Sequence, residues 1–394
     1  MSCVVIIYLD MINHEPSTIQ FIKLLEDDKL KKLVIEAIEL SYNQNSNPNN
    51  NPVKNLDDLY DFLDWSVKCM PWNVLPRNKM PTLYLDINQS INFFWFLFGQ
   101  ELDELKDFDY YLPTLEYHEP IASWIRDYSN AWGDFLNTEE SWNDDYYRMQ
   151  FEDEAFGMTK GWYGNSNIWK TYNEFFSRHL IHPSIRPIGD AELVSPADSA
   201  PAGYWPIDEN GFVLDDVRIK THKVYEISNI LGEDTKYKNA FNGGTLTHTF
   251  LNVHDYHRYH FPIDGKIVEM KKIKGVNAVG GHTTYNPETK LYTLNCNDTS
   301  WQIIETRDSI ILDTKFGLVA ILPIGMSQIC SCNFEGNLKV GDIVHKGDPL
   351  GYFLFCGSDI VMLFQKNVEF IPLFENNKHM LMGENYAHLK NKVQ

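Results

Sequence analysis

The apolar stretch from Phe353 to Phe364 contains a Gly-Ser step, Gly357-Ser358, where a polar turn would be more usual. Glycine has no Cβ to shield its carbonyl carbon, so the following serine hydroxyl could attack that carbonyl if a base removed its proton. This is the chemistry of a self-cleaving peptide bond. The structural alternative is a β-bulge glycine followed by a serine that bonds to its own backbone.

A cluster of histidines could supply the base. Four of the thirteen histidines fall within thirteen residues, namely His248, His254, His257 and His260. The i, i+3 spacing of His257 and His260 would place both on one side of a helical turn, whereas the apolar residues after them indicate a strand edge. A metal site is a rival interpretation, but no carboxylate at helical spacing completes a ligand set. A pair of hydrogen-bonded structural histidines is the plainest alternative.

Asp198 could orient such a base. It follows an apolar strand and lies in a turn fixed by Pro196. Alone, it is an ordinary turn aspartate. Together with the histidines and Ser358, it completes a set of orienting residue, base and nucleophile in the order Asp, His, Ser.

The region that must position these residues has the pattern of a β domain. After residue 160, short apolar runs alternate with turn signals such as Asp264-Gly265 and Val340-Gly341-Asp342. The Gly-Ser step would then join two apolar strands of about five residues each. The segment Lys339–Gly351 also resembles a lipoyl or biotinyl carrier hairpin, but Lys346 is not at a hairpin tip. A carrier module is therefore a weak alternative.

Residues 1–160 have the pattern of a mainly helical domain. Pro16-Ser17 indicates a helix start, and apolar residues at three-to-four spacing over 121–136 predict an amphipathic helix. Residues 42–52 are nearly all Asn, Gln, Ser and Pro, which predicts a low-complexity loop with too little apolar area to order itself. The chain is thus expected to be α+β, with a β-rich catalytic domain over 161–394.

Composition excludes several classes of partner. Acidic residues outnumber basic ones 54 to 34, giving a net charge of −20, which disfavours non-specific nucleic-acid binding and docking on an anionic membrane. The six cysteines contain no CxxC pair and are expected to be reduced, mostly buried thiols. The N-terminal apolar run is too short for a signal peptide or membrane span. A cytoplasmic protein without a stable membrane anchor is expected.

Five segments, in their order and spacing, resemble the phosphatidylserine decarboxylase family. They are Phe175-Phe176-Ser177-Arg178 with Arg186-Pro187-Ile188, Ser195-Pro196-Ala197-Asp198, Asp255 to Pro262, Gly351-Tyr352-Phe353, and Phe355-Cys356-Gly357-Ser358. Three further segments are similar to the soluble subgroup that contains the fungal L-tryptophan decarboxylase: Trp132–Leu136 with Glu140–Trp142, Phe250–Arg258, and Pro323–Ile329.

The resemblance implies a proenzyme that makes its own cofactor. His260, oriented by Asp198, would deprotonate Ser358, which would attack Gly357 and form an ester. Elimination and hydrolysis would leave a pyruvoyl group at position 358, a large chain 1–357 and a small chain 358–394. The pyruvoyl ketone would form a Schiff base with the substrate amine, with neither pyridoxal phosphate nor a metal required.

The resemblance also assigns the decarboxylation step. His257 or His260 would protonate the carbanion left by CO₂, which calls for an imidazole whose pKa is near neutral. The family commonly forms dimers, so the resemblance makes a homodimer one candidate assembly, although the sequence itself does not give the oligomeric state.

Two residues depart from the family pattern. Asp359 stands where a small hydroxyl residue is usual, and Ser199 stands where a glycine is usual. Asp359 could slow ester elimination, could bind a cationic group of the substrate, or could point away from the site because side chains alternate along a strand.

Three functions follow from these observations. The absent anchor and negative charge favour a decarboxylase of a free, aromatic L-amino acid. The first alternative is a phosphatidylserine decarboxylase that makes phosphatidylethanolamine, with a membrane-contacting patch such as Phe93–Phe98. The second is a non-catalytic relic that serves as a binding protein, which Asp359 motivates.

Overall fold

The structure is a computed structural model. It describes residues 14–48, 50–69, 87–108, 110, 112–213, 226–232, 234–275, 282–295, 305–326, 331–355 and 357–392. Two compact units are formed, the first from Met1–Asn143 and Asn277–Cys296, the second from Asp144–Val276 and Asn297–Gln394. The boundary expected near residue 160 falls within the second unit. The N-terminal apolar run and Cys3, Cys296, Cys330 and Cys356 lie outside the described residues.

The first unit is mainly helical. Its helices are α1 (Pro16–Leu24), α2 (Asp28–Gln44), α3 (Leu56–Ser66), α4 (Ile87–Phe98) and α5 (Ile121–Leu136). Pro16 occupies the first turn of α1, where a missing N–H costs nothing. The Asp27 side chain accepts hydrogen bonds from the backbone of Lys29 and Leu30 and so caps α2.

The aromatic residues of α4 form the core of this unit. Phe93, Trp95 and Phe98 are all fully buried, and Phe94 stacks on Tyr128 of α5 with ring centroids 5.4 Å apart. The interpretation of Phe93–Phe98 as a membrane-contacting patch is therefore wrong. Within the described ranges, no helix is both long and apolar enough to cross a bilayer.

In the Asn-rich segment predicted as a loop over 42–52, residues 42–44 end helix α2, and hydrogen bonds hold the described residues that follow. Asn45 and Asn50 are buried and bind a hairpin of strands β6 (His282–Asn286) and β7 (Leu291–Asn295). The Asn45 amide donates to the Tyr292 hydroxyl at 2.8 Å, and the Asn50 amide donates to the Lys290 carbonyl at 2.8 Å. An asparagine both donates and accepts, so polar composition alone does not exclude order.

The second unit carries three short helices and thirteen strands among its described residues. The helices are α6 (Asp144–Glu152), α7 (Tyr172–Phe176) and α8 (Ile227–Ile230). The strands are β1 (Leu193–Val194), β2 (Ala200–Pro206), β3 (Thr245–Leu251), β4 (Arg258–His260), β5 (Gly265–Ile273), β8 (Arg307–Thr314), β9 (Gly317–Met326), β10 (Ser331–Phe334), β11 (Ile343–Val344), β12 (Pro349–Leu354), β13 (Gly357–Phe364), β14 (Val368–Pro372) and β15 (Asn385–Asn391). The α+β prediction is confirmed.

Strand β13 lies inside an antiparallel seven-stranded sheet of order β11-β5-β8-β9-β13-β3-β2. Its residues Ile360 to Phe364 are completely buried. A strand covered on both faces shows a continuous apolar run, which explains why the sequence after Ser358 lacks alternation.

The Gly-Ser step lies where the chain changes sheets. Strand β12 belongs to a three-stranded sheet of order β10-β12-β4, and β13 begins at Gly357 in the large sheet. Strand β4, which carries His260, pairs with β12, and β12 is followed in the chain by β13, which carries Ser358. A third sheet has the order β1-β15-β14.

Two of the cysteines, Cys69 and Cys332, are described. Both are buried free thiols, and burial raises the pKa of each. Such thiols are poor nucleophiles, so they behave as core residues.

Candidate active site

Ser358 is a buried hydroxyl with no hydrogen-bond partner among the described residues. It lies between Leu251 of β3 and Gly325 of β9, and the register of β13 with both neighbours runs without a shift from Ser358 to Phe364. A β-bulge with a serine bonded to its own backbone, the structural alternative, is therefore not what the strand contains. A buried hydroxyl without a partner is costly and calls for a functional explanation.

Asp359 is held on the other face of β13, because successive side chains of a strand point to opposite faces. Its carboxylate lies 3.0 Å from His248 Nδ1, and both residues are buried. The His248 ring stacks on Trp205 with centroids 5.2 Å apart. The unusual carboxylate beside the Gly-Ser step is therefore paired within the sheet.

His260 is positioned by three contacts. Its backbone N–H donates to the Pro196 carbonyl at 2.8 Å. Its Nδ1 lies 2.9 Å from the Gly347 carbonyl oxygen, and its Nε2 lies 3.3 Å from the Tyr256 hydroxyl. Because a carbonyl only accepts, Nδ1 of the neutral ring carries the proton and Nε2 carries the lone pair. Burial lowers the pKa of His260, so the ring is neutral at pH 7 and its Nε2 lone pair can accept a proton.

Asp198 does not contact His260 through a hydrogen bond. Its two carboxylate oxygens accept from Arg186, at 2.9 Å from Nε and 2.5 Å from Nη2, and one also accepts from the Met382 backbone at 2.8 Å. The hydrogen bond expected between Asp198 and His260 is not formed between these two side chains, and His260 Nδ1 contacts the Gly347 carbonyl oxygen. Asp198 acts on His260 through its negative charge, which offsets part of the lowering of the His260 pKa by burial.

His257 is buried against Phe176, with ring centroids 3.9 Å apart. Its Nδ1 lies 2.9 Å from the Asp255 carbonyl oxygen, which leaves the lone pair on Nε2, and Nε2 has no partner in the described part of the chain. Burial lowers its pKa to about 3. Burial thus moves the pKa of His257 below the near-neutral value expected for this residue, and the ring is uncharged at neutral pH.

The histidine pair does not lie on a helical turn. Arg258–His260 form strand β4, so the strand interpretation is correct and the helical one is wrong. The helical spacing was coincidental, because two residues apart by three in an extended chain do not share a face. Across the described ranges, no group of three or more His, Cys, Asp or Glu side chains could hold a metal ion.

Asp255 organises the turn before β4. Its carboxylate accepts from the Asn252 backbone at 2.8 Å and lies 2.9 Å from His379 Nε2. Its carbonyl oxygen accepts from His257 Nδ1 at 2.9 Å and from Arg178 Nη2 at 3.1 Å. The Asp255 carboxylate, in turn, raises the pKa of His379.

Four residues of this site were missed as functional candidates in the sequence: Arg178, Arg186, Tyr256 and Gly347. Arg178 and Arg186 lie within the segments that carry the family resemblance. A buried carboxylate such as Asp198 requires a cation as partner, which is a signal for an arginine nearby. Gly347 has φ +92°, which a Gly-Asp turn signal can indicate. That its carbonyl meets His260 follows only from the pairing of β12 with β4.

A family model described as phosphatidylserine decarboxylase matches residues 172–388, a range that contains all the site residues named above. Among individual relatives, a "phosphatidylserine decarboxylase proenzyme" of Acidovorax ebreus is 29% identical over 237 residues, which cover 56% of this chain and 78% of the relative. One of Vibrio campbellii is 29% identical over 255 residues, covering 59% and 83%.

A plant protein is also similar. The "phosphatidylserine decarboxylase proenzyme 2" of Oryza sativa subsp. japonica is 34% identical over 211 residues, which cover 51% of this chain and 30% of the longer plant protein.

Proposed function

Because the chain belongs to the phosphatidylserine decarboxylase family, whose members are pyruvoyl-dependent carboxy-lyases, we propose that it is a self-processing decarboxylase that acts on phosphatidylserine. The observation that carries the proposal is the buried, unpartnered hydroxyl of Ser358, directly after Gly357. This is the atom from which a pyruvoyl group would be made, so the residues present fit that cofactor.

Self-processing would begin with loss of the Ser358 hydroxyl proton to a base, for which His260 Nε2 is our candidate. The serine oxygen attacks the Gly357 carbonyl carbon, the amide C–N bond breaks as the ester C–O bond forms, and the released nitrogen takes a proton. Loss of the Ser358 Cα proton then expels Gly357 as a carboxylate. One water releases ammonia and leaves a ketone on residue 358.

Asp198 would support this step indirectly. Its pair with Arg186 fixes the turn whose Pro196 carbonyl accepts the His260 backbone N–H. The charge of Asp198 also favours the imidazolium that forms when His260 takes a proton.

During turnover the pyruvoyl group supplies a ketone carbonyl that takes up the electrons released when CO₂ leaves. His257 would move the proton. Its Nε2 is buried and unpartnered, and at neutral pH the ring is uncharged. Its Nε2 would relay the proton that the substrate nitrogen loses as it reacts to the carbon that has lost CO₂.

Phosphatidylserine is preferred as substrate over a free aromatic amino acid. The relatives described above are all named for phosphatidylserine, and nothing in them supports the free amino acid, so the first alternative fits better than the interpretation drawn from net charge. Placement with the tryptophan decarboxylases stays a prediction, as do the homodimer and the cytoplasmic location. Asp359, which motivates the relic interpretation, is paired with His248.

The proposal is tested with purified protein and four substrates. Phosphatidylserine vesicles should give phosphatidylethanolamine and CO₂, whereas tryptophan, phenylalanine and tyrosine should give no amine. Hydroxylamine or borohydride should abolish turnover by trapping the ketone. Amine from an amino acid without phosphatidylethanolamine would overturn the substrate, turnover that survives trapping would overturn the cofactor, and a single uncut chain without activity would indicate a relic.

A further inference from the structure

His379 lies in the segment that follows Ser358, and it contacts the turn that precedes β4. Its Nε2 lies 2.9 Å from Oδ1 of Asp255. A carboxylate oxygen only accepts, so Nε2 carries the proton and donates it. The Asp255 side chain is 7% exposed and that of His379 is 42% exposed, so a buried carboxylate is joined to a residue at the surface. With cleavage after Gly357, His379 would belong to the small chain and Asp255 to the large one.

The backbone on both sides of His379 is hydrogen-bonded to the start of strand β2. The Asn377 N–H donates to the Pro201 carbonyl at 2.7 Å. Met380 exchanges two backbone hydrogen bonds with Ser199, at 2.8 and 2.9 Å. The imidazole is therefore presented to the turn from a backbone that is held in place on either side of it.

Asp255 transmits this restraint to the proposed proton carrier. One of its carboxylate oxygens accepts from the His379 ring, and the other accepts from the Asn252 N–H at 2.8 Å, so the side chain is held from two directions. The carbonyl oxygen of the same residue lies 2.9 Å from His257 Nδ1. Because that oxygen only accepts, the proton stays on Nδ1 and the lone pair on Nε2, which is buried and has no partner in the described ranges.

We propose that His379 is a positioning residue for decarboxylation, because its hydrogen bond to the Asp255 carboxylate holds the peptide whose carbonyl orients His257. The inference rests on the proposed function, in which His257 Nε2 relays a proton. Without the His379 donor, a nearly buried carboxylate would lack a hydrogen bond and would turn toward water, and the Asp255 peptide would move with it. The small chain would then contribute an orienting side chain in addition to residue 358.

The same contact should have little influence on self-processing. His260, the candidate base for that step, is held by the Gly347 carbonyl at 2.9 Å and by the Pro196 carbonyl at 2.8 Å. Neither contact includes Asp255 or His379. Loss of the His379 donor should therefore separate the two reactions, since the chain is still cleaved while turnover falls. A merely structural role would slow both.

Two substitutions distinguish the donor from the ring. His379→Gln keeps an N–H donor that can reach the carboxylate, whereas His379→Phe keeps a ring and lacks the donor. We expect kcat for phosphatidylserine to fall about 10- to 100-fold in His379→Phe, with KM changed less than about threefold, because displacement of a reacting group lowers the rate more than the binding. His379→Gln should stay within about fivefold of the wild-type kcat.

His388→Phe is the matched control. His388 is also a histidine of the segment after Ser358, and its Nδ1 lies 2.8 Å from a carboxylate oxygen of Glu192. Its side chain is 49% exposed, close to the value for His379. Glu192 directly precedes β1 and lies outside the turn that orients His257. The control should be cleaved and should turn over phosphatidylserine as the wild type does.

Denaturing gels measure chain cleavage, and release of CO₂ from phosphatidylserine vesicles measures turnover in the same preparations. A wild-type kcat in His379→Phe would overturn the proposal. The same holds for a kcat in His379→Gln as low as that in His379→Phe, and for equal slowing of cleavage and turnover.

His379→Ala replaces the phenylalanine variant if the latter does not fold. Because the His379 side chain is 42% exposed, free imidazole can enter the space that the substitution leaves. Added imidazole should restore part of the lost kcat, and the absence of any restoration would refute the assignment. Wild-type turnover of phosphatidylserine tests the proposed function separately, so failure of the one is distinguishable from failure of the other.

Discussion

His260 donates its Nδ1 proton to the carbonyl oxygen of Gly347 over 2.9 Å. A backbone carbonyl cannot take up the proton, so this contact holds the ring in one tautomer with its lone pair on Nε2. The contact depends on a turn in which Gly347 has φ +92°. The backbone N–H of Gly347 donates to the Phe261 carbonyl at 2.8 Å and holds this turn in place. The base of the proposed processing reaction is thus oriented by a glycine turn between β11 and β12.

Replacing Gly347 with alanine should slow self-processing. An alanine would be strained at this φ, and its Cβ would lie 2.6 Å from Ile188 Cδ1, so either the turn with its carbonyl or the Ile188 side chain must shift. Gly341→Ala is the matched control, because its φ is +104° but nothing lies within 4 Å of the added Cβ. Time courses of chain cleavage should show slower processing for Gly347→Ala alone, and equal rates in both variants would contradict the role of the carbonyl.

Ser358→Ala should give a single uncut chain. The variant removes the hydroxyl that is proposed to form the ester, whereas the wild type should release a small chain of residues 358–394 whose N-terminus is blocked to Edman sequencing. Ser129→Ala, at another fully buried serine, should be processed normally. A denaturing gel with intact-mass measurement provides the comparison, and two chains from Ser358→Ala would place the scissile bond elsewhere.

The sequence was informative wherever the chemistry is local. The strands on either side of Gly357-Ser358, the amphipathic helix α5 and the turns of the β-rich region follow from apolar spacing and turn residues. The family follows from several short segments taken together.

Contacts between distant segments could not be predicted in the same way. The partner of Asp198 is Arg186 and the partner of Asp359 is His248, and both pairings depend on strand order and register. The Asn-rich loop was misjudged because its order comes from hydrogen bonds to Tyr292, more than 200 residues away in the sequence. Composition indicates how much apolar area a segment can bury, but it does not reveal hydrogen bonds of this kind.

Asp198→Asn should destabilise the fold strongly. The side chains of Asp198 and Arg186 are 3% and 0% exposed, so the variant leaves a buried guanidinium unpaired, at a cost of about 3–5 kcal/mol. Glu209→Gln breaks the exposed Lys366 pair and should cause no measurable loss. Denaturant unfolding monitored by tryptophan fluorescence measures both, and similar stability of the two variants would mean that the buried pair is not the anchor of the turn.

His257 should make the protein less stable as the pH falls. Its pKa is about 3 in the fold and about 6.5 when exposed, so between these values the unfolded chain binds a proton that the native chain does not. The free energy of unfolding should therefore decrease by up to about 1.4 kcal/mol per pH unit through this window, with no contribution above it. His257→Gln should show a shallower slope between pH 6.5 and 4. Burial raises the pKa of Asp308 to about 6, so protonation of Asp308 stabilises the fold as the pH falls. This contribution is present in the wild type and in His257→Gln, and it cancels in the difference between their slopes.

The buried pair of Asp359 and His248 should support the sheet and not the chemistry. His248→Ala removes the buried ion-pair contact to the Asp359 carboxylate, and about 3–5 kcal/mol of stability should be lost. Combining it with Asp359→Asn removes the buried charge as well, so the double variant should be more stable than His248→Ala alone. The double-mutant cycle gives the coupling energy of the pair directly. If Asp359 instead bound a cationic group of the substrate, Asp359→Asn alone would raise the KM for phosphatidylserine, while His248→Ala, folded at low temperature, would leave it unchanged. We expect both folded variants to keep the wild-type KM, because Asp359 lies on the face of β13 opposite Ser358.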